Sequence, residues 1–451
     1  MTDTTSTPAP KRGLINWRAV AMFAAVALLI GWTGLTQSWN VALAIVNMGL
    51  VSAIMALGVN LQWGYAGLFN VGIMGFVALG GLAAVLVTEA PVPEAWAAGG
   101  GRMMLALAFG VALIAVAALV YQRMSAGRLR ALVMTLILVG GYFAYRALFV
   151  PAADAIEAVN PAATGFLGGL GFKGALALVA WPVGGLFAAT AAWLIGKTAL
   201  GLRSDYLAIA TLGISEIIIA ILKNEDWLAR GVKNVNGLER PWPVPYEVDL
   251  QASADFAARA ATWGMDPVIA SAVAVKLTYA VLFLVVLAVL LTMSQAALNS
   301  PWGRMMRAIR DNEVAAEAMG KDVTRRHLQV FILGSAVVGI AGAMMTTLDG
   351  QLTPSSYQPL RYTFLIWVMV IVGGSGNNYG AILGGFVIWF FWVQVEPLGS
   401  WVMTLVTSGL ADGSALKAHL LHSTAHMRLL TMGVIMLLVL RFSPRGLIPE
   451  R

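Results

Sequence analysis

The segment SPWGRMMRAIRDNEVAAEAMGKDVTRRHL, residues 300–328, decides how the rest of the chain is organised. It lies between two long apolar stretches and carries six basic and four acidic side chains, Arg304, Arg307, Arg310, Lys321, Arg325, Arg326, Asp311, Glu313, Glu317 and Asp322. So many charges cannot lie in hydrocarbon, so the segment is a polar loop between two membrane spans. Pro301 near its start and Gly320 near its end predict one short surface helix over 302–319. A basic helix displayed in this way is suited to docking a soluble partner.

Composition places the whole chain in the membrane. Of its 451 residues 59% are hydrophobic and 11% are charged, and the mean hydropathy is +0.79. A soluble domain has about a quarter of its residues charged, so we predict an all-α polytopic membrane protein. The net charge of +7 fits basic cytoplasmic loops and predicts no nucleic-acid partner. The absence of cysteine excludes disulfides and thiol chemistry.

Apolar runs set the number of spans, because about 20 apolar residues cross a bilayer. Twelve runs predict about 10–12 transmembrane or re-entrant helices, at 19–35, 41–61, 66–88, 103–121, 131–150, 174–196, 205–223, 267–293, 329–349, 362–375, 379–396 and 428–441. The runs at 362–375 and 428–441 are short for a full crossing. If only one of them fails to cross, the C-terminus moves to the outside.

Lysine and arginine in the loops set the orientation. Their distribution predicts a cytoplasmic N-terminal tail, 1–18, followed by a transmembrane domain, 19–451, whose C-terminus is also cytoplasmic. Within that domain we predict a periplasmic loop at 224–266 and a cytoplasmic coupling loop at 294–328. The tail has no cleavage site after a short apolar core, so the first apolar run is expected to be a retained span.

Two groups of residues at membrane depth are candidates for a transport path or for helix packing. The first is a glycine-rich stretch that contains Gly64, Gly67, Asn70 and Gly72. Such glycines let helices approach closely, or break a helix where it lines a cavity.

The second group is a pair of opposite charges, Glu216 and Lys276. Both lie roughly 12–15 Å inside the outer ends of successive spans, at a rise of 1.5 Å per residue. Since a lone charge at that depth is costly, we predict an ion pair. It either locks two helices or lines the translocation path.

No enzyme site and no metal site is predicted. His422 and His426 have the i, i+4 spacing of a metal pair, but no glutamate follows His422 directly and no third ligand is evident. Gly196, Lys197 and Thr198 end like a phosphate loop, yet Ala191 stands where that motif requires glycine. We therefore expect this chain to bind no nucleotide or other cofactor.

Several segments together resemble one family, the LivM-like permease subunits of bacterial ABC importers for branched-chain amino acids. NLQWGYAGLFNVGIMGF at 60–76 is similar to its N-x-x-x-G-Y-x-G motif, and LRSDYLAIATLGISEI at 202–217 to its R-x-D-Y-L-A-I-x-T-L-G segment. AIRDNEVAAEAMG at 308–320 resembles the permease signature loop, and RFSPRGLIPE at 441–450 the terminal R-P-R-G-L.

The resemblance implies the ABC importer permease fold, in a bacterial inner membrane, and four kinds of partner. These are a LivH-like second permease, two cytoplasmic ATPases that hold the ATP, a periplasmic solute-binding protein and the lipid bilayer. It also implies that the signature loop contains the helix that contacts an ATPase, with coupling residues Glu313, Ala315, Ala316, Gly320, Arg304 and Arg307. The family's acid would stand at position 314, where this chain has valine.

Other interpretations stay open at this point. Urea and short-amide ABC permeases resemble the chain almost as well. An ion-coupled secondary transporter would use Glu216 and Lys276 as a relay. The stretch GVKNVNGLERP at 231–241 replaces the T-G-G-x-x-G-I sequence that the family often has, and residues 100–170 match no part of the family that we can name.

Overall fold

The computed structural model describes residues 17–160, 165–202, 204–410 and 414–450, and this part of the chain is almost entirely helical. The helices used below are α1 Trp17–Thr36, α2 Trp39–Ala66, α3 Ile73–Thr88, α4 Pro93–Arg123, α5 Arg128–Glu157, α6 Ala175–Ala199, α7 Ser204–Asn224, α8 Pro267–Asn299, α9 Pro301–Asp311, α10 Glu313–Ala318, α11 Val323–Asp349, α12 Pro359–Gly373, α13 Asn378–Val406, α14 Ala415–His422 and α15 Met427–Phe442. Each of the twelve predicted apolar runs overlaps one of these helices, although their boundaries differ. The prediction of an all-α polytopic membrane protein is confirmed.

Nine helices within the described ranges are long and apolar enough to cross a membrane. A tenth crossing is possible where α14 and α15 form one span bent by 60°. α3 and α12 have only 16 and 15 residues. The predicted N-terminal tail lies outside the described residues, except for its last two positions.

Two boundaries differ from the predictions. The apolar run 66–88 is not one helix, because α2 ends at Ala66 and α3 begins at Ile73. Gly67 ends α2 in a left-handed conformation, with φ of 70°, that glycine adopts without strain. The surface helix predicted over 302–319 is also two helices, because Asn312 has an extended backbone and its side chain caps the second one.

The core of the bundle consists of α2, α3 and α11, and α6 and α13 pack against it. Glycines allow these close approaches: an ideal Cβ at Gly80 would lie 2.0 Å from the Gly339 carbonyl oxygen, and one at Gly58 would lie 2.7 Å from that of Gly334. Backbones approach in this way in membrane bundles because lipid gives little hydrophobic drive to association. α4 and α5 lie at the periphery, with at most 17% of their apolar windows buried.

The two ends of the bundle have different structures. We call the end that carries the 300–328 loop the basic end, and the opposite one the far end. At the far end, β1 (Val235–Asn236) pairs antiparallel with β2 (Gln351–Leu352). The loop between α7 and α8 also contains helices Glu247–Ala252 and Ala254–Thr262.

One ion pair ties this far-end loop to the chain that precedes α6. Lys173 Nζ lies 2.8 Å from a carboxylate oxygen of Glu239. The hydrogen bond from Lys173 holds the pKa of the Glu239 carboxyl below its usual value. The far-end loop is therefore ordered by polar contacts as well as by its two-stranded sheet.

Candidate functional site

The strongest candidate site is the surface formed by α9 and α10 at the basic end. α9 is amphipathic: Gly303, Met306 and Ile309 are buried at a spacing of three residues, while Arg304 and Asp311 are exposed. Pro301 occupies the first turn, where a missing N–H is harmless. An apolar stripe of this kind lets the helix lie flat on the bundle with its polar side toward the surface.

Arg310, in the last turn of α9, connects three separate parts of the chain. Its Nη1 donates to the backbone carbonyl of Gly64 at the end of α2. The same nitrogen lies 3.0 Å from Glu450 Oε2, and Nε lies 3.3 Å from Asp311 Oδ1. All these donors belong to one planar guanidinium, so a single side chain bonds α9 to α2 and to the C-terminal tail.

The C-terminal tail is held at the turn between α12 and α13. The Leu447 and Ile448 amides donate to the Val372 and Gly373 carbonyls, both at 2.9 Å. Ile448 is only 1% exposed, so its side chain anchors the tail in the bundle. These bonds place Glu450 where Arg310 can reach it.

α10 is the most accessible part of the site, because none of its residues is buried. Val314 in α10 and Met319, directly after that helix, are 76% and 80% exposed. Two exposed apolar side chains five positions apart in a charged loop are candidates for contact with another protein. Sequence reasoning missed both residues, although apolar residues in so polar a loop were a signal.

The predicted coupling residues occupy different environments in this surface. Glu313 and Ala315 are exposed, whereas Ala316 is half-buried and packs against the core. Gly320, two residues after the end of α10, has a φ of 75°, and its amide donates to the Glu317 carbonyl. The α10 surface therefore presents small residues next to a sharp exit of the chain.

The two predicted arginines hold α9 to the preceding helix. Arg304 Nη1 donates to the Asn299 carbonyl at 3.3 Å, and Arg307 Nη2 to the Leu298 carbonyl at 3.4 Å. Lysine or arginine at the carbonyl end of α8 complements the negative end of its dipole. Arg307 also lines a 930 Å³ cavity together with Tyr65 and Glu450.

The glycine-rich stretch lies beside this site and is tightly packed. An ideal Cβ at Gly64 would lie 2.5 Å from the Gly376 amide nitrogen, and one at Gly72 would lie 2.3 Å from the Thr211 carbonyl oxygen. Both positions therefore favour helix packing over lining a path. Gly67, with its positive φ, favours a structural turn instead.

Asn70 is completely buried in a polar network. Its amide donates to Gln62 Oε1 at 2.9 Å, and its own Oδ1 accepts from the Gly72 amide at 2.9 Å. Gln62 in turn donates to Ser335 Oγ in α11 at 3.0 Å. With its side-chain oxygen and amide both engaged, Asn70 fixes the connection between α2 and α3 against α11.

The predicted ion pair between Glu216 and Lys276 is wrong. The Lys276 ammonium donates to both oxygens of Asn40, with the backbone carbonyl at 3.2 Å. Glu216 is exposed on the outer surface of α7. Matched depth did not bring the two together because α7 packs mainly on α3 and α6, whereas α8 packs mainly on α2.

No group of three or more histidine or acidic side chains that could hold a metal occurs within the described residues. His422 and His426 lie near the α14–α15 bend and are exposed. The candidate site thus consists of the α9–α10 surface and the residues that anchor it.

Comparison with known proteins places this architecture in a family. The chain is 28% identical over 284 residues to the high-affinity branched-chain amino acid transport system permease protein LivM of Escherichia coli, covering 62% of this chain and 58% of that protein. It is 26% identical over 137 residues to the fructose import permease protein FrcC of Rhizobium meliloti, covering 29% of this chain and 37% of that one.

A third relative is the probable branched-chain amino acid transport permease protein LivH of Methanocaldococcus jannaschii, 30% identical over 90 residues, which are 20% of this chain and 28% of that protein. The chain therefore spans somewhat less than two thirds of the length of the LivM proteins that it matches. No solved structure matches it. Residues 161–440, more than half of the chain, match the family model for the permease component of the branched-chain amino acid transport system, and the chain belongs to that family.

Proposed function

We propose that this chain is a permease subunit of an ATP-driven ABC importer for branched-chain amino acids. The observation that carries the proposal is the α9–α10 surface: a membrane bundle presents a basic amphipathic helix and an exposed helix with two accessible apolar side chains. Family membership supplies the class, and the LivM relatives supply the substrate. The fructose permease among the relatives means that the substrate needs its own test.

The partners in this proposal are a LivH-like permease, two cytoplasmic ATPases that bind the ATP, and a periplasmic solute-binding protein. The basic end is cytoplasmic, as are both termini, and the far end is periplasmic in a bacterial inner membrane. This orientation follows from the positive-inside rule. It puts α10 where an ATPase can reach it.

The mechanism follows from the contacts of Arg310. Closure of the ATPases moves α10 and α9, and the Arg310 guanidinium passes that movement to Gly64 on α2 and to Glu450 in the tail. An ATPase can bias the permease only if its contacts differ between the outward and inward states. In this chain those contacts lie on α10, around Ala316.

Co-purification from native membranes tests the coupling role. Ala316→Arg places a long charged side chain at a half-buried position of α10, so we expect loss of the ATPase with normal insertion of the chain. Ala257→Arg, at a half-buried position of the helix Ala254–Thr262 in the far-end loop, is the matched control. Retention of the ATPase by Ala316→Arg would contradict the docking role of α10. A chain that carries no ATPase under any gentle extraction would instead support an ion-coupled transporter.

Uptake of labelled L-leucine tests the substrate. We expect deletion of the chain to abolish uptake, and unlabelled valine to compete where glutamate and urea do not. Unchanged leucine uptake would remove the branched-chain assignment and leave urea or another small polar solute as the substrate.

A further inference from the structure

A second cavity, of 310 Å³, lies toward the far end of the bundle between α2, α3, α11, α12 and α13. Its volume is at the lower end of the range of about 300–1,000 Å³ for small-molecule sites. None of the residues singled out from the sequence lines it. It is therefore independent of the α9–α10 surface.

Two helices turn a single face toward this cavity. On α2 the lining residues are Met48, Ser52 and Met55, which follow a spacing of four and then three residues. On α12 the lining residues include Tyr362 and Met369, which lie on the same face of the helix about two turns apart. At a rise of 1.5 Å per residue, each face extends roughly 10 Å along its helix, so the cavity is a slot rather than a shallow dent.

The lining is dominated by methionine. Five methionines, one or two from each of four helices, surround the cavity, Met48, Met55, Met74, Met345 and Met369. Methionine is unbranched and polarisable, so it adapts to apolar groups of different shape. Such a lining suits the side chains of leucine, isoleucine and valine, whereas urea would lose hydrogen bonds to water without replacement.

An acidic group lies at one end of this apolar slot. Asp349, four residues after Met345 on the same face of α11, lines the cavity at the last position of that helix. Among the described residues no cation pairs with it. The carbonyl end of α11 adds partial negative charge at the same place. Together they form a site for an ammonium group.

A positive charge is held close by. The guanidinium carbon of Arg361 lies 5.6 Å from the centre of the Tyr362 ring and 5.2 Å from that of Trp392. Tyr362 itself lines the cavity. Arg361 does not line the cavity itself, so Asp349 is the charged residue of the lining and Arg361 contributes a positive charge beside the Tyr362 wall.

We propose that this cavity is a binding site for the transported amino acid, with its apolar side chain among the methionines and its ammonium group at Asp349. The inference rests on the proposed function and adds to it a place in this chain where the substrate is recognised. It also predicts that the membrane subunit itself selects amino acids with apolar side chains.

The absence of native cysteine permits a direct test. Met345→Cys and Met48→Cys each place one thiol in the cavity at half-buried positions. Tyr379→Cys places a control thiol in the separate 930 Å³ cavity at the basic end. Each variant is labelled with a membrane-permeant maleimide, in native membranes that retain the partner chains, with L-leucine, L-glutamate or urea present.

We expect L-leucine at about ten times its Kd to slow labelling of both methionine-site thiols about tenfold, since only empty sites react. Tyr379→Cys should label at an unchanged rate. Adding Asp349→Asn should weaken the affinity for leucine tenfold or more, because a charged hydrogen bond is worth about 1.5–3 kcal/mol. At the same leucine concentration, protection should therefore fall from about tenfold to about twofold or less. An unchanged labelling rate without ligand shows that the Asp349→Asn chain is folded.

The outcomes separate the two proposals. If leucine uptake depends on the chain but leucine protects neither thiol, this site is refuted and the proposed function stands. If uptake does not depend on the chain, the proposed function fails at its substrate. Protection by urea or glutamate as strong as that by leucine would refute the recognition of an apolar side chain.

Discussion

The Arg310–Glu450 contact offers a perturbation whose size can be worked out in advance. Glu450→Gln removes the ion pair and leaves the bond from Arg310 to the Gly64 carbonyl. Arg310→Met removes both while keeping much of the apolar stem. Local opening of the tail should therefore increase equally in the two variants. Local opening of α9 should increase far more when the arginine is lost.

The magnitudes follow from exposure. The two side chains are 24% and 34% exposed, so the ion pair contributes about 0.5–1 kcal/mol. That changes an opening equilibrium by about two- to fivefold. A charged donor to a carbonyl contributes about 1.5 kcal/mol at a partly exposed position. Loss of both contacts costs α9 about 2 kcal/mol, or about thirtyfold.

Amide hydrogen exchange measures both equilibria on the purified complex, because protected amides exchange through local opening. We expect the Leu447 and Ile448 amides to exchange about two- to fivefold faster in either single variant. The double variant should be no faster than Arg310→Met alone, because the pair is already broken. Exchange in α9 should rise about thirtyfold in Arg310→Met only.

Two results would refute this reasoning. Additive effects of the two substitutions on the tail amides would show that Arg310 and Glu450 act separately. Equal effects on α9 would show that the Gly64 bond contributes nothing. Arg325→Met, which removes an exposed arginine from the start of α11, is the matched control and should change neither segment.

Three further predictions concern other parts of the chain. Gly384→Ala would place a Cβ 1.9 Å from a carbonyl of α12, so we expect several-fold less folded chain in membranes, while Gly433→Ala, with open space around it, changes nothing. Glu239→Gln removes the partner of Lys173. Because the pKa of Glu239 is lowered on folding, the pair stabilises the loop at neutral pH and this contribution is lost as the pH falls, so protease cleavage of the wild-type loop should approach that of Glu239→Gln as the pH falls below the ordinary glutamate pKa of about 4.3. Val314→Asp should weaken ATPase retention about tenfold, as expected for loss of an apolar interface contact, and unchanged retention would remove that residue from the interface.

The sequence predicted the helices well because a bilayer imposes a length and a composition that no other environment imposes. The glycine-rich stretch left helix packing and a transport path as alternatives, and an ideal Cβ at Gly64 or Gly72 would lie within about 2.5 Å of a backbone atom of another helix or turn. Breaks were harder to place. Asn312 divides a segment of strong helix formers into two helices, because its backbone is extended and its side chain accepts a hydrogen bond from the Ala315 amide. An asparagine side chain competes in this way with the backbone hydrogen bonds of a continuous helix, but the sequence does not show which of the two forms.

Contacts between distant segments could not be predicted. Glu216 and Lys276 were expected to pair on their depth, but depth does not tell which helices are neighbours, and α7 packs mainly on α3 whereas α8 packs mainly on α2. Lys276 found Asn40 instead. Arg310 and Glu450 are 140 positions apart, and only the insertion of the tail beside α12 brings them together. The methionines of the 310 Å³ cavity are likewise scattered along the chain.

Under the proposed function, α2 and α11 connect the two sites physically. α2 lines the cavity from Met48 to Met55 and receives Arg310 at Gly64, so one rigid, largely buried helix spans the roughly 24 Å between Met48 and Gly64. α11 begins directly after the α9–α10 loop and ends at Asp349. A displacement of the loop therefore moves two walls of the cavity together. Because coupling between two binding sites is reciprocal, an amino acid held at Asp349 must bias the loop by the same free energy by which an ATPase biases the cavity.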